Sequence, residues 1–369
     1  MFAHFCRMIL LPQLALAAAG ALAQETGNRQ PDLRGIKIDL THAVPLPGLP
    51  FTGDLAYPFT CSSDGDLYAG VLALDQDGRP ISKIPDLYRV SPQASVKNIP
   101  KPVPTGYKHL DSPGFFAGDG ILVTVIRASR PDDQQARVGT DYFLSVTDPN
   151  GDHPKLIRLS LDFNAVKAAV FGSGEFIILG SDPTTFEPVV ALLDPEGQFE
   201  KYLDVFPKAD NMEKDPAKVK ARKHDVFFEI GAAQFAPWGA DVLMAAPGID
   251  TSSVYHFRAG GQSEKVHIKF PSDQRLAGIL GSGGKDSWVI RAQSAESAKR
   301  MATAHIVENP EEFLYEVNPL TGELLRMLDV SGPAMGEVAC AADGKLTAIY
   351  VGSAQPGGSD QLVVASSRR

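Results

Sequence analysis

Cys61-Ser-Ser-Asp64-Gly65-Asp66-Leu67-Tyr68 reads as a strand ending in a small or apolar residue, a tight Asp-Gly turn, and the start of a second strand. The phrase recurs as Phe116-Ala-Gly-Asp119-Gly120-Ile-Leu122, Val170-Phe-Gly-Ser173-Gly174-Glu-Phe176 and Phe235-Ala-Pro-Trp238-Gly239. It returns loosely as Leu280-Gly-Ser-Gly283-Gly284 and clearly as Cys340-Ala-Ala-Asp343-Gly344-Lys-Leu346. Six copies at intervals of 45 to 65 residues make the chain a repeat array, whose units share one continuous core.

Outward from each copy there is room for four strands. In the second repeat they fall near Ser112–Ala117, Ile121–Arg127, Tyr142–Thr147 and Leu156–Leu161. The third and fourth strands of successive repeats are joined by turn-forming segments: Asp148-Pro-Asn-Gly151, Asp194-Pro-Glu-Gly197, Ala259-Gly-Gly261 and Asn318-Pro-Leu-Thr-Gly322. Outer strands are expected at residues 95–99, 156–161, 199–203, 265–268 and 324–328. The last repeat lacks one, and Ile36-Lys-Ile38-Asp-Leu40 is an alternating strand without a local partner. The expectation is an all-β, six-bladed β-propeller of four-stranded antiparallel blades, its ring closed by that N-terminal strand.

On blade count, blade length and the Asp-Gly turn before the second strand, residues 34–369 resemble the six-bladed propellers of the TolB-like and NHL-like superfamily. The resemblance implies a single propeller domain and a central channel. In similar propellers of the gluconolactonase type, a divalent ion sits at the channel mouth.

Residues 1–23 have the form of a signal peptide: His4 and Arg7, an apolar run from Met8 to Ala19, then Ala21-Leu22-Ala23. Residues 24–33 read as a polar, disordered lead-in. An exported protein, periplasmic or extracellular, is expected, with no membrane span and a monomeric state. The chain has 35 Lys+Arg against 44 Asp+Glu, a net charge of −9. Such a surface argues against nucleic acid and anionic lipid as partners. Cys61 and Cys340 occupy the same position of two repeats. Equivalent positions point the same way round a ring, so two buried thiols are expected, with a bridge as the alternative.

Because strand direction reverses at every step, the short Asp-Gly turns share one face and the long insertions share the other. The insertions are 128–141, 207–225, 292–312, 41–55 and 100–113. Two readings of that loop-rich rim stay open: recognition of a partner, or solvated loops without a role. Arg127, Lys223, His224 and Arg291 are expected near its central opening. Gly281-Ser-Gly-Gly-Lys285-Asp286 lacks phosphate-loop spacing and reads as a blade turn, and Asp75-Gln-Asp77-Gly78 fails as a calcium loop. No nucleophile elbow occurs.

The favoured function is a binding module for a protein, peptide or glycan on the loop-rich face, with no chemistry, no catalytic residue and no cofactor. The alternative is a small-molecule hydrolase or lactonase with calcium or another divalent ion at the channel mouth. There His109, Asp111, His224, Asp225, Arg275 and Glu337 are expected to line or approach the channel. The ligand's identity is not legible.

Overall fold

The computed structural model describes residues 36–39, 42–45, 59–71, 84–91, 95–118, 120–130, 140–206, 229–297, 311–331, 338–352 and 361–367. Two short strands open it, β1 (Ile36–Asp39) and β2 (His42–Pro45). Four separate four-stranded antiparallel sheets follow in strict sequence order. The first holds β3 (Phe59–Cys61), β4 (Leu67–Val71), β5 (Asp86–Val90) and β6 (Val96–Ile99). The second holds β7 (His109–Ala117), β8 (Leu122–Ser129), β9 (Asp141–Thr147) and β10 (Lys155–Leu159). The third holds β11 (Asn164–Val170), β12 (Phe176–Ser181), β13 (Pro188–Leu193) and β14 (Phe199–Leu203). The fourth holds β15 (Gln234–Trp238), β16 (Asp241–Ala245), β17 (Ser253–Arg258) and β18 (Gln262–His267).

The remaining strands are β19 (Gln274–Gly284), β20 (Ser287–Ser294), β21 (Glu312–Val317), β22 (Leu324–Ser331), β23 (Val338–Ala342), β24 (Lys345–Gly352) and β25 (Gln361–Ser366). With β1 and β2 they form one nine-stranded sheet in the order β1-β22-β21-β20-β19-β23-β24-β25-β2. The fold is an all-β propeller. Its hydrogen bonding gives four blades and this larger sheet, in place of the six separate blades of a closed ring expected from the repeats.

The junction has a local cause. β19 and β23 meet in parallel at one residue pair, Gly281 and Ala341. Gly281 has φ +130°, and a Cβ there would lie 2.3 Å from the Ala341 carbonyl oxygen. Only glycine permits both the backbone conformation and the approach. Gly281→Ala is therefore expected to destabilise the protein by about 3 kcal/mol, read as a lower urea midpoint. A midpoint within error of the parent's would show that the junction tolerates a side chain.

The N-terminal strand also differs from expectation. His42–Pro45, not Ile36–Leu40, pairs antiparallel with the last strand, from His42 opposite Ser366 to Pro45 opposite Val363. Ile36–Asp39 instead runs parallel to β22.

The repeated phrase makes the turn its residues require. Ser62 N–H bonds the Asp66 carbonyl and Gly65 N–H the Ser62 carbonyl; Phe171 and Gly174 repeat both bonds with Glu175 and Phe171. The connections between third and fourth strands use side-chain acceptors: Asp148 Oδ1 takes the N–H groups of Asn150 and Asp152, and Asp194 Oδ1 those of Glu196 and Gln198. Gly281–Gly284 ends β19 and turns directly into β20, as a blade turn should.

Second strands are covered on both sides, so Leu67–Val71 is buried along its whole length, whereas outer strand Phe199–Leu203 is almost entirely exposed. The core lies between sheets. Tyr68 and Leu87 of the first blade pack with Ala117 and Leu122 of the second. A larger cluster runs from Phe116 and Leu144 through Ile177 and Leu192 to Met244 and Phe257. Trp238 meets Trp288 edge-on at 5.6 Å between ring centres. Leu280, Val289 and Leu314 pack with Ala341, Leu346 and Ala348, and Ile349 and Val364 with Leu67 and Val90.

Cys61 and Cys340 form a disulfide, with Cα atoms 5.8 Å apart. This corrects the expectation of two free thiols. β23 carries a bulge between Val338 and Cys340 that three-residue β3 lacks, and the Cα separation is within disulfide reach.

Candidate ligand cavity

First strands of a propeller converge, and small residues keep them from filling the space between them. Here they enclose a cavity of about 440 Å³. Its wall is contributed by β3, β7, β11, β15, β19 and β23, with Arg291 reaching in from β20 and Ile349 from β24. Gly114, Ala168, Ala232, Ala233 and Ala339 leave the room, while Phe59, Phe115, Phe235 and Ile279 give apolar patches.

Among the described residues, two charged side chains line this cavity, Lys167 and Arg291, and both are cationic. Lys167 stands at a bulge between Ala165 and Lys167 in β11, which breaks strict alternation and lets both Lys167 and Ala168 reach the wall. Comparable bulges interrupt β7 between Asp111 and Gly114 and β19 between Leu276 and Gly278. The Lys167 ammonium donates to the Ala233 carbonyl, a neutral partner. Burial lowers its pKa to about 8, because the charged form loses hydration. Arg291 Nη2 donates to the Val338 carbonyl at 2.6 Å, and its Nε lies 3.6 Å from Glu312 Oε2.

Gln234 adds an amide to the polar lining, to which Thr60 also belongs. Its Oε1 accepts the Ile279 N–H at 3.2 Å, and a Cβ on Gly278 would fall 2.3 Å from that same oxygen. Gly278→Ala is expected to displace the amide and to lower stability by about 1 kcal/mol through the lost hydrogen bond. Amide exchange at Ile279 should quicken in the variant; unchanged protection would show that the amide tolerates the methyl group.

Of the nine residues singled out from sequence, Arg291 lines the cavity. Asp111 and Arg127 face each other across β7 and β8 and form a two-pronged ion pair, both contacts 2.6 Å. Their charges satisfy one another outside the cavity wall. His109 is exposed at the start of β7, and Arg275 is half-buried opposite Gln293 on β19; neither is a lining residue. Lys223, His224, Asp225 and Glu337 lie outside the described residues, as do most of the long insertions. Sequence reasoning missed Lys167 and Gln234. The available signal was Lys167 itself, the one charge in the apolar run Ala165–Phe171. Among the described residues, no group of three or more His, Cys, Asp or Glu side chains is arranged to hold a metal ion.

No protein-family model and no curated protein matches the sequence. Solved structures similar to this chain include a putative TolB from Agrobacterium tumefaciens, at 12% identity, TM-score 0.40, over 84% of this chain and 89% of that one. The β-propeller domain of the Trilobed protease from Pyrococcus furiosus matches at 11% identity, TM-score 0.40, over 84% and 80%. Virginiamycin B lyase from Staphylococcus aureus matches at 9% identity, TM-score 0.32, over 75% and 94%.

Proposed function

We propose that this chain is an exported binding propeller that holds a small ligand in its central cavity and performs no chemistry on it. The observation that carries the reading is the cavity wall. It is drawn from the first strand of every repeat, yet among the described residues its lining has no carboxylate, no imidazole and no free thiol. Lysine and arginine in the same wall disfavour a divalent ion, which counts against the lactonase alternative.

The same reading treats the nine-stranded sheet as two blade units, β19–β22 and β23–β25 with β2. Support comes from the packing of Leu280 and Val289 against Leu346 and Ala348, which stacks the two halves face to face as neighbouring blades stack. Six units of the TolB-like or NHL-like kind then complete the circuit. Export is supported by the leader-like residues 1–23 and by the Cys61–Cys340 disulfide, which persists in oxidising compartments. Among the described residues no helix is long and apolar enough to cross a membrane.

The test is an assay of the purified protein with gluconolactone and with 4-nitrophenyl acetate, each with and without added calcium. No turnover above buffer is expected. Calcium-dependent turnover abolished by a chelator would overturn the binding reading in favour of the hydrolase.

A further inference from the structure

We propose that the central cavity takes a small organic acid, with Lys167 and Arg291 supplying the positive charge for its carboxylate and the aromatic wall receiving its apolar body. This rests on the binding reading above and names the ligand's class.

The charge pattern points that way. The whole chain carries a net charge of −9, yet among the described residues the cavity's charged side chains are both cations. Among the described residues no carboxylate pairs with Lys167, and its ammonium is met by a neutral carbonyl. A cation held away from water without a counter-charge is costly, and an incoming carboxylate removes that cost. Arg291 is held in place by the Val338 carbonyl, so its planar donors are oriented before a ligand arrives. The size and the remaining wall exclude a bare inorganic ion as the best fit. About 440 Å³ suits a small organic molecule, and Phe115, Phe235 and Ile279 offer it apolar surface.

A pH dependence follows. Lys167 is charged below about 8 and loses its proton above that value. Arg291, the other charged lining group among the described residues, has Glu312 beside it. The paired Cys61 and Cys340 do not titrate. Above the acid range in which the ligand's own carboxyl protonates, affinity for a carboxylate should therefore hold below about pH 8 and fall as pH rises past it.

Phenylacetate and its neutral isostere phenylacetamide are the probes, titrated calorimetrically into the full folded protein. Phenylacetate should bind, and the amide should bind about tenfold more weakly or not at all. Lys167→Gln and Arg291→Gln should each weaken phenylacetate about tenfold while leaving the circular dichroism spectrum unchanged. The parent should lose about tenfold between about pH 6.5 and about pH 9.5, and Lys167→Gln should lose none of its remaining affinity over that range. If Arg291→Gln fails to fold, Lys167→Gln and the pH profile decide alone. Equal affinity for the amide would overturn the anion assignment and leave the binding reading standing. Absence of phenylacetate binding, or binding indifferent to Lys167→Gln, would overturn the site itself. Turnover of esters or lactones would instead strike the binding reading.

Discussion

Replacing Cys61 and Cys340 together by alanine is expected to lower the unfolding free energy by about 4 kcal/mol. The two cysteines are 279 residues apart in sequence, and their bond ties β3 to β23, the first strands of the first and last repeats. A cross-link over so long a loop removes much of the freedom of the unfolded chain, and the effect grows with the logarithm of loop length. Both side chains are buried in a cluster with Leu67, Val90, Ile349 and Val364, so a smaller packing loss adds to the entropic one. Alanine avoids leaving a buried hydroxyl that serine would introduce. Urea unfolding of the parent with and without reductant, and of the double variant, gives the number. Agreement between reduced parent and variant would assign the loss to the bond. A loss below about 1 kcal/mol would show that packing alone holds the first and last repeats together.

The disulfide also marks where the sequence stops being readable. The Asp-Gly phrase repeats because the turn needs it, and local chemistry of that kind is legible without a structure. The same holds for Asp148 and Asp194, whose carboxylates bond their own turns. What repeats conceal is a departure from equivalence at one position. The bulge at Val338–Cys340 and the positive φ of Gly281 each change which neighbour a strand can reach, and neither alters the hydrophobic pattern. The N-terminal strands show a second limit. Ile36-Lys-Ile38-Asp-Leu40 alternates more clearly than His42-Ala-Val-Pro45, yet the latter takes the antiparallel place beside Gln361–Ser366. Proline at Pro45 is compatible with an edge position, where one N–H has no ladder partner to lose. The candidate site was less legible than the fold. Arg291 was singled out, whereas Lys167 sat within an apolar run that reads as core. Asp111 and Arg127 looked functional because their sequence separation hides that they stand opposite each other in register.

Truncation of the N-terminus separates the roles of the two opening strands. Deleting residues 1–45 removes β1 and β2 together and is expected to cost on the order of 4 kcal/mol relative to the form beginning near Gln24. Lost backbone pairing sets the cost. β2 meets four residues of β25, from His42 opposite Ser366 to Pro45 opposite Val363, and without it β25 becomes an open edge. Open edges recruit other chains, so the truncated protein should also aggregate on heating, as light scattering would record. Deleting only residues 1–41 removes β1 and leaves β2 in place. Its loss uncovers β22, to which β1 adds four residues in parallel beyond an already four-stranded run. Parallel pairing is slightly weaker per residue, so the shorter deletion should cost about half as much. If instead it melts as low as the longer one, the strand at Ile36–Asp39 is the structural closure and His42–Pro45 is dispensable.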